Sequence, residues 1–269
     1  MKAYKKTGGK YRGKPQDPRS RPPPKDDPSI LWLYGRHAVA AALANPDRRI
    51  RRGLATKNAA DWLKEIGVPP EKLAMMEDAR PDAIDHLLPP GAVHQGIAVE
   101  AHDLERARLK DVCEPAGGRR PVVVLDQITD PQNIGAILRT AAAFGARAAI
   151  VQERRTPPLS GVLAKAAAGA VETLPVVKAV NISRALEALK ELGYHCAGLT
   201  GDGGAPITAL PKDQPIAIVL GAEGAGLRQL VAATCDGLYR IPIDPVMESL
   251  NVSNATAISL YEATRGDIT

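Results

Sequence analysis

From Pro121 onward the chain alternates short apolar runs with helix-forming stretches, and this alternation limits the possible folds more than any other feature. Val122-Val123-Val124-Leu125 has no polar interruption, as expected of a strand buried on both faces. Further strands fit 147–152, 174–178, 194–199, 216–220 and 238–243, with helices at about 160–170, 183–192, 226–233 and 252–264. The best-marked helix begins at Pro131, where Asp130 can cap it and Gly145 can end it; its apolar stripe is Ile134, Ile137, Leu138, Ala141 and Ala142. Alternation of this kind predicts a parallel α/β sheet with right-handed crossovers.

The ligand of such a sheet is written in its turns. A dinucleotide fold should carry GxGxxG after its first strand. Here that turn is Asp126-Gln127-Ile128-Thr129-Asp130-Pro131, without glycine, and no phosphate-cradling GxxxxGK[ST] occurs. Glycines gather late instead, in Val219-Leu220-Gly221-Ala222-Glu223-Gly224-Ala225-Gly226-Leu227, where backbone can approach a ligand closely. Gly201-Asp202-Gly203-Gly204 is followed by Pro206 and reads as a loop. After the last apolar run the chain turns at Asp244-Pro245 and sets Glu248, Ser249 and Asn251 just before an Ala-rich helix. A helix start has unpaired N–H groups that can receive polar ligand atoms. Taken singly, Ser249 or Asn251 is a helix cap, Asn133 a first-turn residue and Arg139 an exposed helix arginine.

Residues 29–103 read as a separate small α/β domain: a strand through Leu31-Trp32-Leu33-Tyr34, a helix from His37 to Ala44, a strand around Ile50 and Leu54, helices at about 58–66 and 81–87, and a final strand after Gly91-Ala92-Val93-His94-Gln95-Gly96. Arg48, Arg49, Arg51, Arg52 and Lys57 crowd into a domain whose total charge is near zero, which predicts a lopsided field suited to RNA. Residues 104–120, charged and then rich in Pro and Gly, read as a linker. The net charge of +5 belongs to the first 28 residues, which hold nine Lys/Arg and three Asp; the other 241 sum to −1. That Pro- and Gly-rich tail cannot fold alone, and it suits an arm that gathers onto phosphate backbones. Three cysteines without a CxxC pair fit a reducing cytoplasm and argue against zinc or a disulfide framework. No apolar run reaches the ~20 residues of a membrane helix.

Three stretches together narrow the reading. DPQNIGAILRTAAAFGA (130–146), IVLGAEGAGL (218–227) and IPIDPVMESLNVSNATAISLYE (241–262) resemble, in order and spacing, the signature motifs of the SpoU (TrmH) family, the S-adenosylmethionine-dependent RNA ribose 2′-O-methyltransferases of the SPOUT class. LYGRHAVAAAL (33–43) and GAVHQGI (91–97) resemble the substrate-binding domain found in the large-subunit rRNA guanosine methyltransferases of that family, which is similar in fold to a ribosomal-protein module. With the basic tail (1–28) and the linker (104–120) read from composition, the resemblance implies that 29–103 is an RNA-binding domain and 121–269 a SPOUT domain whose residues 216–262 form a deep trefoil knot.

It further implies that S-adenosylmethionine meets the backbone of Gly221, Ile241 and Leu250, with Leu220 and Leu227 nearby. Arg139 becomes the central catalytic residue, Asn133 and Glu223 hold the site together, and Ser249 and Asn251 orient hydroxyl and cofactor. RNA contacts fall to Tyr34, Arg36, His37, Arg48, Arg49, Arg51, Arg52, His94 and Gln95. A homodimer is implied, with the site completed across its interface, and no metal. The substrate is structured RNA, a guanosine of 23S rRNA first and tRNA as the alternative. A non-catalytic RNA-binding protein is the competing class, weakened because all five catalytic positions are filled. Asp244-Pro245, where the family usually has a glycine, and Asn254, where it has an apolar residue, depart from the pattern.

Overall fold

The computed structural model describes residues 30–116 and 118–266; the basic tail expected at 1–28 lies outside the described residues. The amino-terminal part runs β1 (Ile30–Tyr34), α1 (Arg36–Ala44), β2 (Ile50–Ala55), α2 (Lys57–Glu65), α3 (Pro70–Leu73), β3 (Met76–Asp78), α4 (Pro81–Asp85) and β4 (Ile97–His102). Its four strands form one sheet in the order β1-β4-β2-β3, with β4 antiparallel to both neighbours and β3 parallel to β2. The stretch expected as a linker contains α5 (Leu109–Cys113), and Cys113 is fully buried beneath the larger sheet.

The remainder runs β5 (Val122–Leu125), α6 (Pro131–Ala143), β6 (Ala148–Gln152), α7 (Gly161–Ala166), α8 (Ala170–Thr173), β7 (Val176–Ala179), α9 (Ile182–Glu191), β8 (His195–Leu199), β9 (Ala205–Pro206), β10 (Ile216–Leu220), α10 (Gln229–Thr234), β11 (Gly237–Arg240) and α11 (Val252–Thr264). Seven strands form an all-parallel sheet in the order β7-β6-β5-β10-β8-β11-β9. Every residue of β5 and β10 is buried, because helices cover both faces. The period of two divides them: Val123, Leu125, Ile218 and Leu220 join the core beneath α6 and α11, whereas Val122, Val124, Ala217 and Val219 join that beneath α9 and α10.

The predicted alternation holds, with two local differences. The helix expected over 160–170 is broken into α7 and α8, because Gly169 sits at φ 95°, outside any helix. The glycine-rich loop at 201–204 ends in β9, a two-residue edge strand that the sequence did not announce. Helix α6 is capped as read: the Asp130 side chain accepts a hydrogen bond from the Gln132 N–H at 3.0 Å. The strand sequence reverses direction between β5 and β10, and in open parallel sheets such a switch point opens a crevice at the strands' carboxyl ends. Although β11 lies near the sheet edge, the following helix α11 packs centrally on α6 and β10, so residues 241–251 return across those carboxyl ends.

Candidate active site

The crevice is organised from Asp126, the residue that ends β5. Its side chain is 0% exposed, and its N–H continues the ladder by donating to the Leu220 carbonyl at 2.8 Å. A buried carboxylate needs charge-assisted partners. Arg228 supplies them: its backbone N–H donates to Oδ2 at 3.1 Å, and Nε and Nη2 donate to Oδ1 at 2.9 and 2.6 Å. The loop after β10 is thereby pinned to the end of β5. Sequence reading passed over both residues; the available signal was an acid closing an uninterrupted apolar strand.

Between those anchors residues 221–226 fold into a tight loop. The Ala222 N–H donates to the Gly226 carbonyl at 3.1 Å, and the Gly226 N–H to the Ala222 carbonyl at 2.8 Å. A Cβ on Gly221 would lie 2.1 Å from the Gly226 carbonyl carbon, so only glycine permits this closure, and Gly226 itself adopts φ 65°. Glu223 is carried at the tip. Its Oε1 accepts from Asn133 Nδ2 at 3.1 Å and from Asn251 Nδ2 at 3.0 Å, and Asn251 Nδ2 also donates to Asn133 Oδ1 at 3.0 Å. Asn251 is a helix cap as well, since its Oδ1 accepts from the Ser253 N–H at 2.9 Å. Three residues from three distant stretches therefore share one hydrogen-bonded cluster.

The other expected residues stand around this cluster rather than in it. Arg139 is exposed on α6 and has no hydrogen-bond or ion-pair partner among the described residues. It follows Asn133 by six positions, hence roughly 9 Å along the helix and about 120° around it. Ser249 is exposed and without a hydrogen bond among the described residues. Leu250 and Ile241 are half-buried, Leu227 is partly buried and Leu220 lies in the core. The Asp244-Pro245 departure forms a turn in which the Val246 N–H donates to Asp244 Oδ1 at 3.0 Å, leaving Val246 81% exposed. Asn254 is exposed.

Two other chemistries find little support. Burial pushes the Cys113 and Cys235 thiols to about 11 and Cys196 to about 12, so none is a thiolate nucleophile near neutrality. Among the described residues no group of three His, Cys, Asp or Glu could hold a metal ion. Nor is any described helix long and apolar enough to cross a membrane.

The amino-terminal sheet corrects part of the expected RNA surface. Arg48 faces inward, its side chain 1% exposed, because Glu172 of α8 and the His102 carbonyl take up its guanidinium. Tyr34 is buried against Ile84 and Leu88. His94 is buried too; its Nδ1 accepts from the Gly96 N–H at 3.1 Å and its Nε2 lies 3.2 Å from Asp85. Gln95 serves the backbone, its Oε1 accepting from the Arg36 N–H at 3.0 Å. Arg49, Arg51, Arg52, Lys57 and His37 are exposed. The guanidinium of Arg36 lies 5.3 Å over the Trp62 ring and that of Arg52 5.3 Å over Trp32. These are the only two tryptophans in the sequence, and each lies beside an arginine.

Residues 120–261 match the model of the SpoU rRNA Methylase family. The chain is 37% identical over 245 residues to the 23S rRNA (guanosine-2′-O-)-methyltransferase RlmB of Photobacterium profundum, covering 87% of this chain and 96% of that protein. It is also 37% identical over 257 residues to the uncharacterized tRNA/rRNA methyltransferase slr0955 of Synechocystis sp., covering 91% of this chain and 66% of that longer protein. The structure resembles that of the AdoMet-bound rRNA methyltransferase from Sinorhizobium meliloti, with a TM-score of 0.75, coverage of 91% and 90%, and 23% identity, a likeness of fold.

Proposed function

Since the chain belongs to the SpoU rRNA Methylase family, we propose that it transfers a methyl group from S-adenosylmethionine to the ribose 2′-hydroxyl of a guanosine in 23S rRNA. The observation that carries this reading is the Asn133–Glu223–Asn251 cluster built against the Gly221 loop at the switch point. The missing Cβ at Gly221 lets the loop close tightly against the Gly226 backbone, and the half-buried Ile241 and Leu250 offer both backbone polar groups and apolar surface, which suits a nucleoside-containing donor. Leu220 and Leu227 would wall it. When bound, the sulfonium donor supplies a methyl group that is already activated.

The chain's own residues must then hold the ribose and manage charge. An arginine side chain carries donors and no acceptor, so Arg139 serves by gripping a phosphate and stabilising negative charge on the 2′-oxygen, whose proton passes to solvent as the O–CH₃ bond forms and the electron pair of the broken S–CH₃ bond stays on sulfur. Ser249 orients the hydroxyl, and Asn251, whose side chain is committed to Glu223, Asn133 and Ser253, holds the turn that carries Ser249. Glu223 and Asn133 fix Asn251. The front sheet reads RNA through Arg36, His37, Arg49, Arg51 and Arg52, with Trp32 and Trp62 beside them, in the manner of a ribosomal-protein module, and the basic tail adds salt-sensitive affinity.

Two architectural features complete the reading. The return of residues 241–251 from β11 to a helix resting on α6 and β10 supports a trefoil knot within 216–262. The outer face of α11 exposes Ile258 and Tyr261, and the neighbouring loop exposes Val246 and Met247, which supports a homodimer closing over this face. The setting is the cytoplasm. The likeness to slr0955, named for tRNA as well as rRNA, supports tRNA as the alternative substrate. The test is to incubate the protein and S-adenosylmethionine with unmodified 23S rRNA and with tRNA, then map 2′-O-methyl marks by mass spectrometry. One guanosine marked in 23S rRNA is expected; no mark in either RNA would end the proposal.

A further inference from the structure

The corner that removed Arg48 from the RNA surface joins the two sheets. Glu172 Oε1 accepts from Arg48 Nη2 at 2.7 Å, and Oε2 accepts from Arg48 Nε at 3.0 Å and from Asn45 Nδ2 at 2.8 Å. The third guanidinium nitrogen, Nη1, donates to the His102 carbonyl at 2.8 Å, at the end of β4. The ion-pair side chains are 1% and 3% exposed. One end of α1, the last residue of β4 and helix α8 are thereby tied at a single point.

The surroundings have the same character. Gly169, just before α8, sits so near α1 that a Cβ there would fall 2.7 Å from the Ala41 Cβ, and its φ of 95° already excludes other residues. A Cβ on Gly35 would lie 3.2 Å from the Lys165 side chain of α7. A single apolar cluster runs from Leu33, Val39 and Leu43 of the front lobe through Val171 and Leu174 to Ile134 of α6. Lobes joined by a small polar contact move freely by default; a continuous apolar seam removes that freedom. A buried ion pair adds little net stability over an apolar pair, but an arrangement that parts the two charges leaves each buried and unpaired at a high energetic cost.

We propose that Arg48 and Glu172 are positioning residues: they lock the front lobe at one offset from the Asn133–Glu223–Asn251 site, so that the span between the two selects which ribose is methylated. This rests on the methyltransferase reading above. The chain acts as a rigid gauge. The exposed arginines of β2, held outward by Glu100 at 3.3 and 2.9 Å, grip one RNA element through their remaining N–H groups, and the ribose presented at the crevice is the one lying at the built-in distance.

The test uses the full chain and in vitro-transcribed 23S rRNA. Glu172→Gln keeps the shape and removes one charge, while Arg48→Met with Glu172→Leu removes both and keeps the volume. If the single variant fails to fold, the double variant carries the test, because it leaves no unpaired charge. The expected result is a KM for rRNA raised ~10- to 100-fold, methyl marks spread to neighbouring riboses, and unchanged S-adenosylmethionine affinity by calorimetry. Variants that melt earlier yet keep the wild-type KM and a single mark would overturn the proposal and leave the two residues a plain structural pair. A wild-type protein without activity would instead remove the methyltransferase reading beneath it, so the two failures are distinguishable.

Discussion

At the scale of single residues, Arg139 and Asp126 show two contrasting settings for a charge. Asp126 is sealed and saturated by Arg228, so its charge is spent on structure. Arg139 is exposed and unpartnered among the described residues, so its charge is available to a ligand. Replacing Arg139 by Lys keeps the charge but loses the planar fork that can hold a phosphate at two points. Turnover is expected to fall by roughly 100-fold or more, with S-adenosylmethionine affinity held within about twofold. Steady-state kinetics beside calorimetry measure this, and near-normal turnover in Arg139→Lys would take the guanidinium out of the mechanism. Asp126→Ala should behave oppositely. It strips partners from Arg228 and is expected to cost about 2–3 kcal/mol in chemical denaturation. Arg139 stood out as a candidate in the sequence because motifs sit around it. Asp126 did not, since a carboxylate after an apolar strand looks the same whether it faces water or a buried arginine.

At the scale of elements, the start of α11 does two jobs with one side chain. Asn251 Oδ1 caps the helix, and Asn251 Nδ2 reaches Glu223 and Asn133. The two jobs separate by substitution. Asn251→Ser keeps a cap of equal rank, so the melting temperature should stay near wild type while methyl transfer drops. Asn251→Ala should lose both, with about 1 kcal/mol of stability gone. Equal activity in Asn251→Ser and wild type would reduce Asn251 to a cap. Gly221→Ala makes a parallel case: its Cβ would collide with the Gly226 backbone, so the loop must open and S-adenosylmethionine affinity should fall in calorimetry. Helices α6 and α11 were readable because caps, proline and apolar spacing agreed. The break between α7 and α8 was not, because it depends on Gly169 accommodating Ala41 from another part of the chain.

At the scale of the molecule, the exposed apolar face of α11 and the 241–251 loop is the surface left to cover. Ile258→Glu with Tyr261→Glu is expected to turn a dimer into a monomer in sedimentation and to abolish methyl transfer, if the site is completed by the partner. A monomeric wild type would sink that expectation. The expected front domain and linker meet a different outcome. Residues 104–120 lie between the two sheets, yet α5 packs Cys113 into the core and the Arg48–Glu172 pair binds the lobes together.

By itself the sequence determined the strand–helix alternation, the parallel sheet and the three motif stretches, because periodicity, caps and glycine spacing act over a few residues and can be read locally. Only the tertiary structure decided which polar side chains meet. Asn133, Glu223 and Asn251 converge, and Arg48 turns inward while Arg52 stays outside, because strand order brings together residues as many as 118 to 127 positions apart. Burial and pairing at that range depend on the whole packed core and leave no trace in local composition.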